Sequence, residues 1–313
     1  MNPKNRILSR LRQRILILDG AMGTELQKRG LPAGVCPEAW CLDHPAATEE
    51  IHTAYREAGS DIVYTATFGA NRLKMGLYGL TDVRDTNRKL AEIAVRAAGM
   101  GLVAGDIGPT GRFVEPFGDL PFEEAVAIFR EQAQGLLEGG VDLFVIETMM
   151  DIQEARAALI AVREVCDHFC MVTMTYEKHG RTLNGTDPVS ALTILQGLGA
   201  DAVGCNCSTG PEGMIGLISV MKPLAAVPLV AKPNAGLPQL IDGATVFDLD
   251  AAGFAGFGGA FAAAGVNLMG GCCGTTPAHL RALRDSLASE KPVAPLSRST
   301  AAVSSARHTV LLE

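Results

Sequence analysis

The chain is poor in aromatic residues, in charge and in uninterrupted apolar sequence. Aromatic residues make up only 5% of 313, with one Trp and four Tyr. None of these forms a cluster, which disfavours a cage of ring faces for a quaternary ammonium ligand. Charged residues account for 19% against 48% hydrophobic ones, so a substantial core can be buried. The formal charge of −7 lacks the basic face that a nucleic-acid partner requires. Apolar runs are of strand length and broken by Gly or Asp, so no membrane-spanning helix is expected. No long apolar run follows the basic N-terminal residues, so no secretory leader is read there. Eight cysteines in a chain of this length do not form the framework of a small secreted domain, and a reducing cytoplasm fits them best.

What the chain does have is a regular alternation. Strand-like runs at 15–18, 61–67, 102–106, 143–147, 171–175, 202–205, 229–232 and 266–269 are separated by Ala/Leu/Glu-rich segments with helical spacing, such as 121–139 and 152–165. Eight βα units predict an α/β fold, a (β/α)8 TIM barrel, with a doubly wound open sheet as the alternative. Residues 1–14 carry Lys4, Arg6, Arg10, Arg12 and Arg14 with Ile7, Leu8 and Leu11 on one helical face, which predicts an N-terminal helix packed under the barrel. The barrel is placed at 15–289. Beyond it, 290–313 is rich in Pro, Ser and Ala and reads as a linker or tail. Its end, 309–312, is either a docked extension or the start of a further domain.

A barrel places its chemistry just past the carboxyl ends of the strands. There the sequence sets Asp19-Gly20-Ala21-Met22-Gly23-Thr24, Thr67-Phe68-Gly69-Ala70-Asn71, Asp106 to Gly111, Glu147-Thr148, Cys205-Asn206-Cys207, Pro233-Asn234-Ala235-Gly236 and Cys272-Cys273. Vicinal cysteines in a Gly-flanked turn suit a disulfide badly. Joined by Cys207, Cys272 and Cys273 make three legs of a tetrahedral zinc site whose fourth position is open, the mark of catalytic zinc. Such a site binds a substrate thiol and keeps it deprotonated and nucleophilic, which implies alkyl transfer to sulfur. Cys205 is expected to pack in the barrel; Cys36, Cys41, Cys166 and Cys170 are read as buried or incidental.

The other rim residues suit an amino acid. Glu147 can receive an ammonium group, and Asp19 either assists it or orders its own turn. Gly20, Ala21 and Gly23 allow close backbone approach, so the 20–24 segment, with Met22 and Thr24, can hold a carboxylate. Asn234 either forms a turn or fills the metal's open position before substrate arrives. The loop 233–243 is expected to move on binding, since Gly236 and Pro238 flank it.

The segments 19–24, 105–111, 204–207, 233–236 and 270–277, the last reading Gly-Gly-Cys-Cys-Gly-Thr-Thr-Pro, resemble homocysteine S-methyltransferases. Within that family the loops at 105–111 and 233–236 and the tail look most like the homocysteine-binding module of the cobalamin-dependent methionine synthase branch. The resemblance implies a barrel with zinc on Cys207, Cys272 and Cys273, homocysteine sulfur in the fourth position, and Asp19, Glu147 and 20–24 around the amino acid. It implies methylcobalamin as donor, recharged from methyltetrahydrofolate, with cobalamin- and folate-binding modules as partners in the same or a separate chain. No Asp-x-His-x-x-Gly cobalamin pattern occurs here. Self-contained use of S-methylmethionine, or less favourably betaine, and a non-catalytic thiol-redox role are the competing readings.

Overall fold

Parallel strands buried on both faces read as nearly continuous apolar runs, and those of this chain close on themselves. The computed structural model describes residues 3–207, 209–241 and 244–312. Its main sheet comprises β1 (Leu16–Ile17), β2 (Ile62–Tyr64), β3 (Leu102–Ile107), β4 (Leu143–Met149), β5 (Phe169–Met174), β6 (Ala202–Asn206), β7 (Leu229–Lys232) and β8 (Val266–Met269). All neighbours pair in parallel, in the order β1-β8-β7-β6-β5-β4-β3-β2. A bridge between Leu18 and Ile62, with Asp61 N–H donating to the Ile17 carbonyl at 2.7 Å, joins the two ends into a (β/α)8 barrel. The open-sheet alternative is thereby excluded.

Side chains alternate along each strand, and the inward set fills the barrel in layers. Leu16, Ile62, Leu102, Leu143, Phe169 and Leu268 belong to this interior, together with Ile7 and Leu11 of the helix Pro3–Leu11. That helix therefore stoppers the barrel. Its charges are also committed: Lys4 pairs with Asp201 at 2.7 Å and Arg6 with Asp142 at 3.6 Å.

Those aspartates recur by design. Asp61, Asp142 and Asp201 stand just before β2, β4 and β6, and each carboxylate accepts the N–H of the second residue of the preceding strand, from Ile17, Val103 and Cys170 at 2.9, 3.0 and 2.9 Å. Asn267 likewise accepts the Leu229 N–H at 3.0 Å. Two residues before each capping side chain is a left-handed glycine: Gly59, Gly140, Gly199 and Gly265. A glycine that ends the helix and an Asp or Asn that caps the next strand pair thus form a unit repeated four times.

The segment after Ser289 ends in a hairpin, Ala302–Ser304 with Thr309–Leu311. It docks beside the helix Pro188–Gly197, with Ser190 Oγ 3.1 Å from Thr309 Oγ1 and Arg307 Nε donating to the Asn184 carbonyl at 3.1 Å. No helix among the described residues is long and apolar enough to cross a membrane.

Two stability predictions follow from this frame. Asp201→Ala removes a strand cap and the partner of both Lys4 and Arg163, and should cost about 1–3 kcal/mol in urea unfolding. On the helix Pro45–Ala58, His52 is buried with both ring nitrogens unpartnered, and burial pushes its imidazole down to about 4. An unfolded histidine titrates near ~6.5, so between these values the unfolded chain holds the extra proton and stability falls as pH falls. This group alone should remove about 2 kcal/mol between pH 7 and pH 5. In His52→Leu that part of the loss should vanish; an equal pH 7-to-5 drop in both proteins would refute it.

Candidate active site

At the carboxyl ends of the strands the inward series turns from apolar to polar. On β3, Leu102 and Ala104 are followed by Asp106; on β4, Leu143 and Val145 by Glu147; on β7, Val230 by Lys232. Asp106, Glu147 and Lys232 line a cavity of about 320 Å³ together with Asp19 to Thr24, Tyr64, Thr148, Cys207, Cys272 and Cys273.

Three sulfurs meet on one side of it. Cys207, Cys272 and Cys273 place their Sγ atoms within 4.8 Å of one another, and Cys207 and Cys273 are 4.0 Å apart. None of the eight cysteines is in a disulfide. Hydrogen bonding within the cluster and burial push the Cys272 thiol well up, and the Cys273 thiol up to about 12, as expected where thiols crowd without a cation. Cys205 points into the core, and burial carries its thiol far above the usual range. Cys41 and Cys170 are buried, with thiols raised to about 12 by burial; Cys36 is buried and Cys166 partly so.

Backbone bonds fix the thiol loops. Cys207 N–H donates to the Lys232 carbonyl at 3.0 Å, and Cys272 N–H to the Pro233 carbonyl at 2.8 Å. Asn234 accepts the Cys273 N–H on Oδ1 at 3.1 Å, so its amide orders the cysteine loop, and it does not line the cavity. The following hairpin, Pro238–Ile241 with Ala244–Phe247, leans on that loop: a Cβ on Gly274 would meet the Phe247 ring at 2.3 Å. Of the segment 233–243, residues 242 and 243 lie outside those described.

The wall opposite carries charge. Lys232 is 3% exposed, with Nζ 3.1 Å from Asp19 Oδ1, 3.8 Å from Glu147 Oε2 and 3.5 Å from the centre of the Tyr64 ring. Burial works against its charge, but the surrounding groups outweigh burial and hold the ammonium above its ordinary range. Asp19 Oδ2 also accepts Tyr64 N–H at 2.6 Å. Burial raises both Asp106 and Glu147, and each raises the other or is raised by neighbouring carboxylates. Met22, Gly23 and Thr24 open the helix Met22–Lys28, whose first N–H groups have no intrahelical acceptor. Ala21 N–H is committed to Thr275 Oγ1 at 3.2 Å, and Thr24 Oγ1 is buried without a partner. Gly20 is required here, since a Cβ would lie 2.7 Å from the Tyr55 ring.

The sequence reading set Asp106 and Asn206 on the rim without assigning them a role, and it missed Lys232 and Tyr64 as site residues. Asn206 is fully buried; its Oδ1 accepts from Thr148 N–H at 2.9 Å and Thr173 Oγ1 at 2.8 Å, while Nδ2 donates to Thr148 Oγ1 at 2.7 Å and faces Cys272 Sγ at 3.9 Å. Thr148 and Cys207 are the two non-glycine residues at positive φ, 61° and 62°, among the described residues. The Asn206 amide binds one of them and adjoins the other.

A parallel barrel with a cavity at the carboxyl ends of its strands has the form of a barrel enzyme's site, and its three convergent sulfurs could hold a soft metal ion. The chain belongs to the homocysteine S-methyltransferase family, whose model matches residues 16–287. It is 36% identical over 310 residues to methionine synthase of Mycobacterium tuberculosis, an alignment covering 91% of this chain and 26% of that protein. The Mycobacterium leprae methionine synthase is 35% identical over 300 residues, covering 88% and 24%. The chain thus spans about a quarter of the length of these relatives. Its structure is similar to the metallated homocysteine methyltransferase MmuM from Escherichia coli, with a TM-score of 0.76, 27% identity, and coverage of 91% of this chain and 99% of that one.

Asn206→Ala should loosen Cys272 and weaken the binding of Co²⁺, an optical probe of thiolate sites, by about 10–100-fold. An unchanged titration curve would show that Asn206 does not position the thiols.

Proposed function

We infer that this barrel binds homocysteine and activates its sulfur for methylation to methionine, with zinc held by Cys207, Cys272 and Cys273 as cofactor. The observation that carries this reading is the thiol triad itself, set in the cavity that also contains Asp19 and Glu147. The donor set fits the ion: tetrahedral Zn–S bonds of ~2.3 Å put sulfurs ~3.8 Å apart, close to the 4.0 Å between Cys207 and Cys273. Bound there, zinc supplies a Lewis acid that keeps a coordinated thiol as thiolate at neutral pH.

The chain's own residues do the rest. Three cysteine thiolates leave the substrate sulfur electron-rich; Glu147 and Asp19 take the ammonium; Thr24 and the N–H groups of 22–24 face the carboxylate. Transfer forms a carbon–sulfur bond and breaks the bond from the methyl to its carrier, and the thiol proton goes to solvent. We assign the donor as methylcobalamin, recharged from methyltetrahydrofolate, on modules outside this sequence; the likeness to a quarter of each mycobacterial methionine synthase supports this. A cytoplasmic setting accords with eight cysteines outside any disulfide. The end-to-end likeness to the E. coli homocysteine methyltransferase favours a second reading, a self-contained enzyme using S-methylmethionine.

Methionine formation by the zinc-loaded chain from homocysteine should proceed with free methylcobalamin and not with S-methylmethionine or betaine. Turnover with S-methylmethionine alone would establish the second reading instead. Cys272→Ser should abolish turnover with every donor, and activity persisting without bound zinc would sink the metal assignment.

A further inference from the structure

The cavity contains a carboxylate to which the reading above gives no task. Asp106 ends the inward series of β3, beside the inward series of β4 that ends in Glu147; the register pairs Asp106 with Val145 and Ile107 with Ile146. Asp106 is 5% exposed and lines the cavity, and its Oδ1 has no hydrogen-bond partner. Glu147 Oε2 has none either.

The fold does not use the Asp106 carboxylate. Its backbone is satisfied independently: the N–H donates to Thr65 Oγ1 at 2.9 Å, and the carbonyl accepts from Thr67 Oγ1 at 2.7 Å. Lys232 is the only basic side chain among the described residues lining the cavity, and it serves Asp19 and Glu147. Lys74, nearby, lies over the Phe68 ring at 4.7 Å. Glu38, the remaining acid of the lining, has both oxygens engaged, by Gly69 N–H at 2.6 Å and Cys36 Sγ at 3.3 Å. A buried carboxylate oxygen with no donor destabilises a fold unless a ligand meets it. An ammonium brings three N–H donors, enough for two carboxylates at once.

We propose that Asp106 is a substrate-binding residue: with Glu147 it forms a two-carboxylate seat for the α-ammonium of the amino-acid thiol, and so selects zwitterionic thiols over thiols lacking an amine. The proposal rests on the homocysteine reading of the cavity and adds to it the group that sets this selectivity.

The test is equilibrium binding of homocysteine and of 4-mercaptobutanoate, which keeps thiol and carboxylate but lacks the amine, to the zinc-loaded chain and its Asp106→Asn variant. Zinc content and thermal melting serve as controls, and Asp106→Ser replaces Asn should the latter not fold. Loss of one charge-assisted contact should weaken homocysteine on the order of 10- to 100-fold. Affinity for 4-mercaptobutanoate should hold within roughly threefold, since that ligand never uses the contact. Equal weakening of both ligands, or unchanged homocysteine binding, would overturn the proposal. If the unaltered chain binds neither thiol, the homocysteine reading fails first, and the role of Asp106 with it.

Discussion

The buried ammonium of Lys232 is the interaction on which the rest of the site depends. A charge in the barrel interior must be paired, and the pairing is worth keeping only where geometry is good and the remaining donors are used. Lys232 meets that condition by drawing on three other strands: Asp19 beyond β1, Glu147 at the end of β4 and the ring face of Tyr64 on β2. Asp19, once held, accepts the Tyr64 N–H and thereby fixes where the 19–24 segment leaves the barrel. The backbone of the same lysine does separate work, since its carbonyl receives the Cys207 N–H. One residue therefore sets both the carboxylate wall and one leg of the thiol triad. The two halves of the cavity cannot be displaced independently.

The two ends of the barrel divide the labour. At the amino-terminal end Asp61, Asp142, Asp201 and Asn267 accept an N–H from the start of alternate strands, and the helix Pro3–Leu11 seals the opening. These contacts are local, repeated and fully paired, which is what stability asks for. At the carboxyl end the same inward positions carry Asp106, Glu147, Asn206 and Lys232, with Asp106 Oδ1 and Glu147 Oε2 left without a hydrogen-bond donor. Free energy gained at one end offsets the cost of unsatisfied groups at the other, and those groups are what a ligand can use.

Much of this is written in the sequence, though not all in one place. The strands stood out because apolar runs alternated with helical segments, and the cysteines because vicinal thiols between glycines have few other uses. Lys232 escaped notice, and Asp106 and Asn206 were set on the rim without a role, because site residues were sought in the loops after the strands. Their signal was the period-two series itself: Leu102, Ala104, Asp106 and Leu143, Val145, Glu147 keep facing inward as they change from apolar to charged. The repeat Gly-x-Asp, met as Gly59-Ser60-Asp61, Gly140-Val141-Asp142 and Gly199-Ala200-Asp201, was equally legible and marks where each strand pair begins. Asn234 was beyond reach, because a turn and a ligand position make the same demand for a short amide; only the bond to Cys273 N–H shows which contact it makes. The C-terminal segment reads as linker by composition, yet it docks through hydroxyl, guanidinium and carbonyl contacts that leave no apolar signature.

Backbone strain explains why the Asn206 side chain reaches from the end of β6 to Thr148 on β4. Left-handed conformations at non-glycine residues are costly, and they persist where surrounding contacts over-determine them. Thr148 and Cys207 both adopt one, and the Asn206 amide stands between them, accepting the Thr148 N–H and facing the Cys272 sulfur. Without the left-handed turn at 207 the strand would continue upward and carry its thiol away from Cys272 and Cys273. Without the turn at 148 the backbone beyond Glu147 would leave the rim differently, and the carboxylate would lose its aim. A single buried amide thus fixes the bend after Glu147 and reaches the Cys272 sulfur, tying the end of β4 to the thiol cluster. Under the proposed function, that tie would set the separation between thiol cluster and carboxylates before substrate arrives, which is the preorganisation that thiol alkylation requires.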